Sequence, residues 1–338
     1  MAVCRSIFLL EVVLMSLLVM KFGGSSVRDA EHLVRMAQLV RERRAAGHDV
    51  VAVLSAQGDT TDELLKRAAE AAPAPQPREL DALLSAGEQM SAALGAMALR
   101  AQGVDAVSLC GWQIPLRTDG MHTNAEVTDV GTERIRRELD AGRAVIAAGF
   151  QGVDGAGDIT TLGRGGSDTS AVAIAAALHA GELVICTDVD GIYSADPRLC
   201  PDAVRRARIG YRDMLLLASR GAQVLHDRSV ALAARCGVEI RVCACGSVSG
   251  GSVVCAEGED IPVVGITQKK SADSALAAIT AVGGALPSAA LERTAIKALE
   301  QGGVGVHAVS AGERYLSLFV PCEDAGRALR LAHGALIG

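Results

Sequence analysis

Three short stretches hold residues suited to handling a phosphate and an acid. VMKFGGSSV, Val19–Val27, sets Lys21 just ahead of the pair Gly23 and Gly24, with Ser25 and Ser26 following. TLGRGGSDTSA, Thr161–Ala171, holds Arg164, Ser167 and Asp168 among its glycines, and TDVDGIYSADPR, Thr187–Arg198, holds Asp188, Tyr193 and Arg198. A glycine-rich turn between a strand and a helix bares backbone N–H groups at the positive end of a helix dipole, and phosphate binds there. Cations beside such turns suit phosphoryl transfer, which asks for positive charge around a spreading negative charge more than for a covalent partner. A carboxylate acceptor would already be ionised at neutral pH and would need no general base. One glycine turn alone is usually a tight connection and nothing more. Neither GxxxxGK[ST] nor a strict GxGxxG occurs, since GRGGSD, Gly163–Asp168, breaks the spacing. No Ser-His-Asp or Cys-His arrangement stands out, and the histidines are scattered without ligand spacing.

The elements that must position these residues are legible as alternating patterns. Apolar runs of strand length occur at Leu17–Met20, in DVVAVLSA at Asp49–Ala56, at Ala144–Phe150 and at Glu182–Thr187. Amphipathic stretches predict helices over Ala30–Arg44, Asp62–Ala71 and Asp81–Ala101, the last after a Pro-rich loop in AAPAPQPREL. Continuous apolar strands alternating with helices predict an α/β sandwich whose central, mainly parallel sheet is covered on both faces. Its strand ends emerge along one edge, where ligands bind. Lys21, Arg164, Arg198 and the carboxylates would then share one cleft. The Gly/Ser cluster CGSVSGGS, Cys245–Ser252, divides the chain into a unit over 15–250 and a smaller one over 251–338. The second reads VVGIT, ALAAITAVG, a helix over Ser288–Gln301, GVHAVSAG, YLSLFVP and a helix over Glu323–Leu336, which is a small α+β pattern.

Composition excludes several classes. With 338 residues, half of them apolar and 21% charged, the chain packs rather than staying disordered. A net charge of -6 and only 2% aromatic residues offer neither a basic field nor stacking platforms for nucleic acid. The apolar run Ile7–Met20 is interrupted by Glu11 and is too short to span a bilayer. No membrane partner is expected. Residues 1–14 read as an extension ahead of the first strand, with Met1 and Met15 both open as the start. Nine cysteines without a CxxC pair read as free thiols in a cytoplasmic protein, and Cys243 and Cys245 share a strand face as packing groups.

The segments KFGGSSV, SAQGDTTDELL, SAGEQMSAAL, GFQG, TLGRGGSDTSA and TDVDGIYSADPR, in that order, resemble the aspartate kinases of the amino-acid kinase superfamily over roughly Leu17–Val254. The resemblance implies ATP-dependent phosphorylation, with Mg2+, of the L-aspartate side chain to 4-phospho-L-aspartate, at the head of the lysine, threonine and methionine pathway. It implies that Lys21, with Gly23, Gly24 and Ser25, would meet the ATP phosphates. Ser55 and Thr61 would belong to the loop that holds the amino acid, although Thr61 also suits a helix start. Glu88 would pair with the substrate ammonium, and Arg164 would grip the α-carboxylate bidentately. Ser167 and Asp168 would flank the reacting carboxylate, with Asp168 orienting the lysine or the magnesium shell. Thr187, Asp188, Tyr193 and Arg198 would surround the nucleotide, Arg198 also having a plain reading as part of a loop brake.

Two departures from the family pattern qualify that reading. Gln223 stands in RGAQVLHDRSV where the family usually carries a lysine that contacts nucleotide phosphate, and Arg220 or Arg228 are the available substitutes. The C-terminal part has room for one ACT module where such kinases commonly carry two. A homodimer through that ACT-like unit and a lysine or threonine effector at GGALPSAA are the corresponding expectations. Two further readings stay open: an amino-acid-binding regulatory homologue with weak or no turnover, and a kinase for a related amino acid.

Overall fold

The computed structural model describes residues 16–245, 250–270 and 274–338, so the extension 1–14 and part of the boundary stretch lie outside the described residues. Among these, eight strands form one sheet in the order Arg208–Gly210, Ser252–Cys255, Ile240–Ala244, Glu182–Thr187, Leu17–Phe22, Asp49–Leu54, Ala144–Ala148, Ala106–Leu109. From Ile240–Ala244 onward every pairing is parallel. Alternate residues of one strand serve opposite faces. Leu18, Met20 and Phe22 pack with the helices Ala30–Ala45 and Pro77–Ala101, whereas Val19 packs with Gly166–Leu178, Tyr211–Ser219 and Asp227–Cys236. Both faces are covered, which is why the strands are apolar throughout. Each large side chain buried this way contributes about 1.5–3 kcal/mol. The expected α/β sandwich is the architecture found.

Three differences from the sequence reading have local causes. The long helix begins at Pro77, not Asp81, because proline fits the first helical turn, where its missing N–H has no partner to lose. The break at residue 250 falls inside the first unit: Ser252–Cys255 is a strand of the large sheet, antiparallel to Ile240–Ala244. Gly251, at φ 84°, leads into that strand where a Cβ would run into the Val242 carbonyl oxygen. A four-stranded sheet in the order Val127–Val130, Leu116–Thr118, Gln151–Val153, Ile159–Thr161 escapes the sequence reading altogether. Its strands are three or four residues long, too short for a periodicity to register.

The C-terminal unit is an antiparallel sheet in the order Gly265–Lys270, Leu276–Val282, Tyr315–Pro321, Ala308–Gly312, packed with the helices Ala289–Gln301 and Ala325–Leu336. Its first segment supplies an edge strand. This unit is not loosely tethered. Ala195 and Cys200 of the first unit lie in its core, and buried His333 reaches Ser194 Oγ through Nε2 at 2.8 Å. No helix of the described residues is long and apolar enough to cross a membrane.

Candidate active site

Lys21 is the next-to-last residue of the Leu17–Phe22 strand, and Asp168 stands in the first turn of the Gly166–Leu178 helix. Their side chains meet at 2.7 Å, Nζ to Oδ1, with 13% and 12% of each exposed. The helix start favours the Asp168 negative charge independently of the lysine. Gly165 caps this helix at φ 70°, and a Cβ there would fall 2.2 Å from His226 Cβ, so the turn requires glycine. The pair borders a cleft of about 640 Å³ whose walls also include Gly24, Ser55, Thr61, Glu88, Arg164 and Ser167. Gly23 and Ser25 flank Gly24 on the turn that opens the short helix Gly24–Val27. The residues assigned from sequence to substrate binding and catalysis thus come together. Among the described residues Arg164 forms no ion pair, and it is exposed at the cleft.

Glu88 is the most unusual group in this cleft. It is 3% exposed; Oε1 accepts the Ala56 N–H at 3.0 Å, while Oε2 has no hydrogen-bond partner. Burial pushes its carboxyl up to about 7, against the opposing pull of the Ala56 N–H. A buried oxygen without a partner normally costs stability, so it marks a place for an arriving donor. Phe150, in GFQG, also lines the cleft and holds φ 67°, a left-handed conformation that costs a non-glycine residue about 1–3 kcal/mol. The Ser170 hydroxyl accepts its N–H at 3.1 Å and helps hold it there.

Sequence reasoning missed Asp81, which organises the cleft wall. It is fully buried two helical turns before Glu88, and it accepts from Thr161 Oγ1 at 2.5 Å and from the Thr123 N–H at 2.9 Å, with His122 Nδ1 at 2.9 Å. One carboxylate thereby ties the long helix to the Met121–Asn124 loop and to the start of the Arg164 turn. The available signal was an aspartate on the same helix face as Glu88. Asp81→Ala would strand several buried donors and is expected to lower stability by about 3–5 kcal/mol, read by denaturant unfolding. A loss under 1 kcal/mol would contradict this role.

Of the residues assigned to the nucleotide, Lys21 and Gly24 line the first cleft, whereas Thr187, Asp188, Tyr193, Arg198 and Gln223 border a second one of about 500 Å³. Arg198 therefore does not share a single cleft with Lys21 and Arg164, contrary to the sequence reading. The second cleft lies beside the first, because Lys21 and Phe22 register with Ile185 and Cys186 on the neighbouring strand. Arg198 makes a two-pronged contact with Asp196 at 3.0 and 2.8 Å, which holds the Asp196 carboxyl below its ordinary range. Tyr193 donates to Asp190 Oδ1 at 2.8 Å, and that bond raises its phenol. Ile266, Thr267 and Gln268 of the C-terminal sheet complete the wall, a contribution invisible in sequence. Neither arginine offered as a substitute at Gln223 is available. Arg228 donates to Asn124 Oδ1 and to the Leu162 and Ala125 carbonyls, and Arg220 lies 3.7 Å over the Tyr315 ring.

Comparison with known proteins bears on this arrangement. Residues 16–244 match the model of the amino acid kinase family. The aspartokinase of Mycolicibacterium smegmatis is 50% identical over 250 residues, which is 74% of this chain and 59% of that protein. The aspartokinase of Pseudomonas aeruginosa is 50% identical over 68% of this chain and 55% of its own. The chain therefore spans somewhat under two thirds of the length of these relatives. Among solved structures, the aspartate kinase from Synechocystis is 30% identical over 95% of this chain and 69% of its own, with a TM-score of 0.65. E. coli aspartokinase III in complex with aspartate and ADP has the same fold, with a TM-score of 0.82 at 24% identity over 96% of this chain and 100% of its own.

Proposed function

The chain belongs to the amino acid kinase family, and from that premise we propose that it transfers the γ-phosphoryl group of ATP to the side-chain carboxylate of L-aspartate, giving 4-phospho-L-aspartate. The observation that carries the reading is the unpartnered Glu88 oxygen in the same cleft as Arg164 and the Lys21–Asp168 pair. Glu88 receives the substrate ammonium and Arg164 the α-carboxylate, which together demand an α-amino acid and leave its side chain pointing toward Lys21. The nucleotide lies along the second cleft with its phosphates over the Gly23–Ser26 turn. The β-carboxylate attacks the γ-phosphorus in line, and Lys21 with the turn amides neutralises the charge that builds on the transferring group and on departing ADP. No base is required, since the attacking carboxylate is already ionised.

Magnesium fits as a passenger of the nucleotide. That ion is usually held by phosphate oxygens and water plus one or two carboxylates, and Asp168 is the carboxylate that would hold it, beside the Ser167 hydroxyl. When bound, it screens the phosphate charge. The E. coli homologue solved with lysine and aspartate is designated a T-state. We take the C-terminal α+β unit here as a single ACT-like module, with lysine or threonine as effector and a homodimer formed through it.

Purified protein incubated with ATP, L-aspartate and hydroxylamine should yield the aspartyl hydroxamate. No product above the background without enzyme defeats the proposal. One observation favours a weaker catalyst: Gln223 borders the nucleotide cleft and no arginine replaces the missing cation. Restoring it as Gln223→Lys should raise kcat/KM for ATP by about tenfold or more, given a charge-assisted contact of about 1.5–3 kcal/mol. An unchanged or lowered value would show that the site does not use a cation there.

A further inference from the structure

Arg164 stands between two glycines, Gly163 and Gly165, both held at φ 70°. A turn built this way has little stiffness of its own, because glycine leaves the backbone free to move. One helix start braces it on both sides. His226, just ahead of the Asp227–Cys236 helix, packs against Gly165. Arg228, in the first turn of that helix, reaches the other side: Nη1 donates to the Leu162 carbonyl at 2.5 Å and to Asn124 Oδ1 at 2.6 Å, and Nη2 donates to the Ala125 carbonyl at 2.8 Å. The two segments it bridges are also joined directly, since the Ala125 N–H donates to the Thr161 carbonyl at 2.9 Å. Asp81 holds the preceding residue, Thr123, through its N–H. Gly163 leaves room for this junction, because a Cβ there would lie 2.8 Å from Asn124 Oδ1.

We propose that Arg228 is a positioning residue for Arg164: it fixes the glycine turn so that the Arg164 guanidinium meets a substrate carboxylate as a fork. The inference rests on the reading of Arg164 as the α-carboxylate site. Arg228 does not wall either cleft, so it acts through the turn. Its planar guanidinium shares three acceptors between two nitrogens. A lysine ammonium presents all its donors from one atom and cannot span them. The stiffness matters because a bidentate pair is directional, and a turn that shifts loses one of its two hydrogen bonds. Gln223 and Val224, a few residues before Arg228, border the second cleft, so KM for ATP reports any wider disturbance.

The test compares the full chain with its Arg228→Lys and Asn124→Ala variants by steady-state kinetics with ATP and L-aspartate. Arg228→Lys should raise KM for aspartate about tenfold or more and leave KM for ATP within about twofold, since a small misplacement of a binding group is costly only where that group acts. Asn124→Ala removes one of the three acceptors and should shift KM for aspartate the same way by less; it carries the test if Arg228→Lys does not fold. An arginine that only stabilised the fold would lower kcat with the folded fraction and leave both KM values alone. That result, or an equal rise in both, overturns the proposal. On an Arg164→Ala background no fork is left to place, so Arg228→Lys should lower kcat/KM for aspartate by less than about twofold. The full loss on that background overturns it too. Hydrogen exchange reads the brace without substrate: amides of residues 162–166 should exchange several-fold faster in Arg228→Lys, and unchanged exchange overturns the proposal. Wild-type protein that does not phosphorylate aspartate would count against the functional reading and leave the exchange result standing.

Discussion

Lys21→Ala is expected to lower kcat by about 10²- to 10³-fold, the usual loss when one preorganised group facing developing charge is removed. Lys21 stands at the sheet edge with its ammonium 2.7 Å from Asp168 and little exposed, so its position is fixed before substrate arrives. On the proposed reading its charge faces the phosphoryl group and not the amino acid, so KM for aspartate should change far less than kcat. Stability should fall by only about 1–3 kcal/mol, because Asp168 keeps the helix start that favours its charge. Steady-state kinetics and denaturant unfolding of the same preparation separate the two effects. If kcat per folded molecule stayed at the wild-type level, Lys21 would be a structural residue only.

Glu88→Gln should reduce kcat/KM for aspartate by about 30- to several thousand-fold, since removing one charge of a desolvated pair costs about 2–5 kcal/mol. The pH behaviour makes the assignment specific. In the free protein the Glu88 carboxyl titrates at about 7, and the ammonium requires the ionised form. Aspartate affinity should therefore rise as pH climbs through 7, with about half a proton released per aspartate bound at pH 7. Calorimetry in buffers of different ionisation enthalpy reads that proton directly. The same group affects stability in the opposite sense. Between the ordinary value of 4.5 and about 7 the folded chain holds a proton the unfolded chain has lost, so the contribution of Glu88 to stability is fully present below 4.5 and is lost as pH rises through 7. The span corresponds to about 3 kcal/mol, and Glu88→Gln should flatten it. A wild-type protein that releases no proton on binding aspartate would contradict the ammonium contact.

Much of this site is legible in sequence because its parts are local. A strand end, a glycine pair and a cation occupy a few consecutive residues, as at Lys21–Ser26, and the parallel topology carries such turns to one edge. Arg164, Ser167 and Asp168 are found for the same reason. What escapes is set by distant packing. Asp81 is an unremarked helix residue until Thr123, His122 and Thr161 converge on it from segments about 40 and 80 residues away. Phe150 reads as the end of an apolar strand, and only the backbone reveals its left-handed turn. The part of Gly265–Lys270 that walls the second cleft could not be foreseen, because it depends on how two units dock. The placement of the division at residue 250 fails similarly: a Gly/Ser cluster marks a turn, and turns occur within sheets as well as between domains.

The central claim is that this cleft presents an amino acid's side-chain carboxylate, and not its α-carboxylate, to the phosphate. Borohydride reduction of the acyl phosphate formed from ATP and L-aspartate tests it most directly, because reduction turns the phosphorylated carboxyl into an alcohol. With Arg164 on the α-carboxylate and Glu88 on the ammonium, the reduced product should be homoserine. Recovery of 3-amino-4-hydroxybutanoate instead would mean that the substrate lies the other way round and that both residues are misassigned.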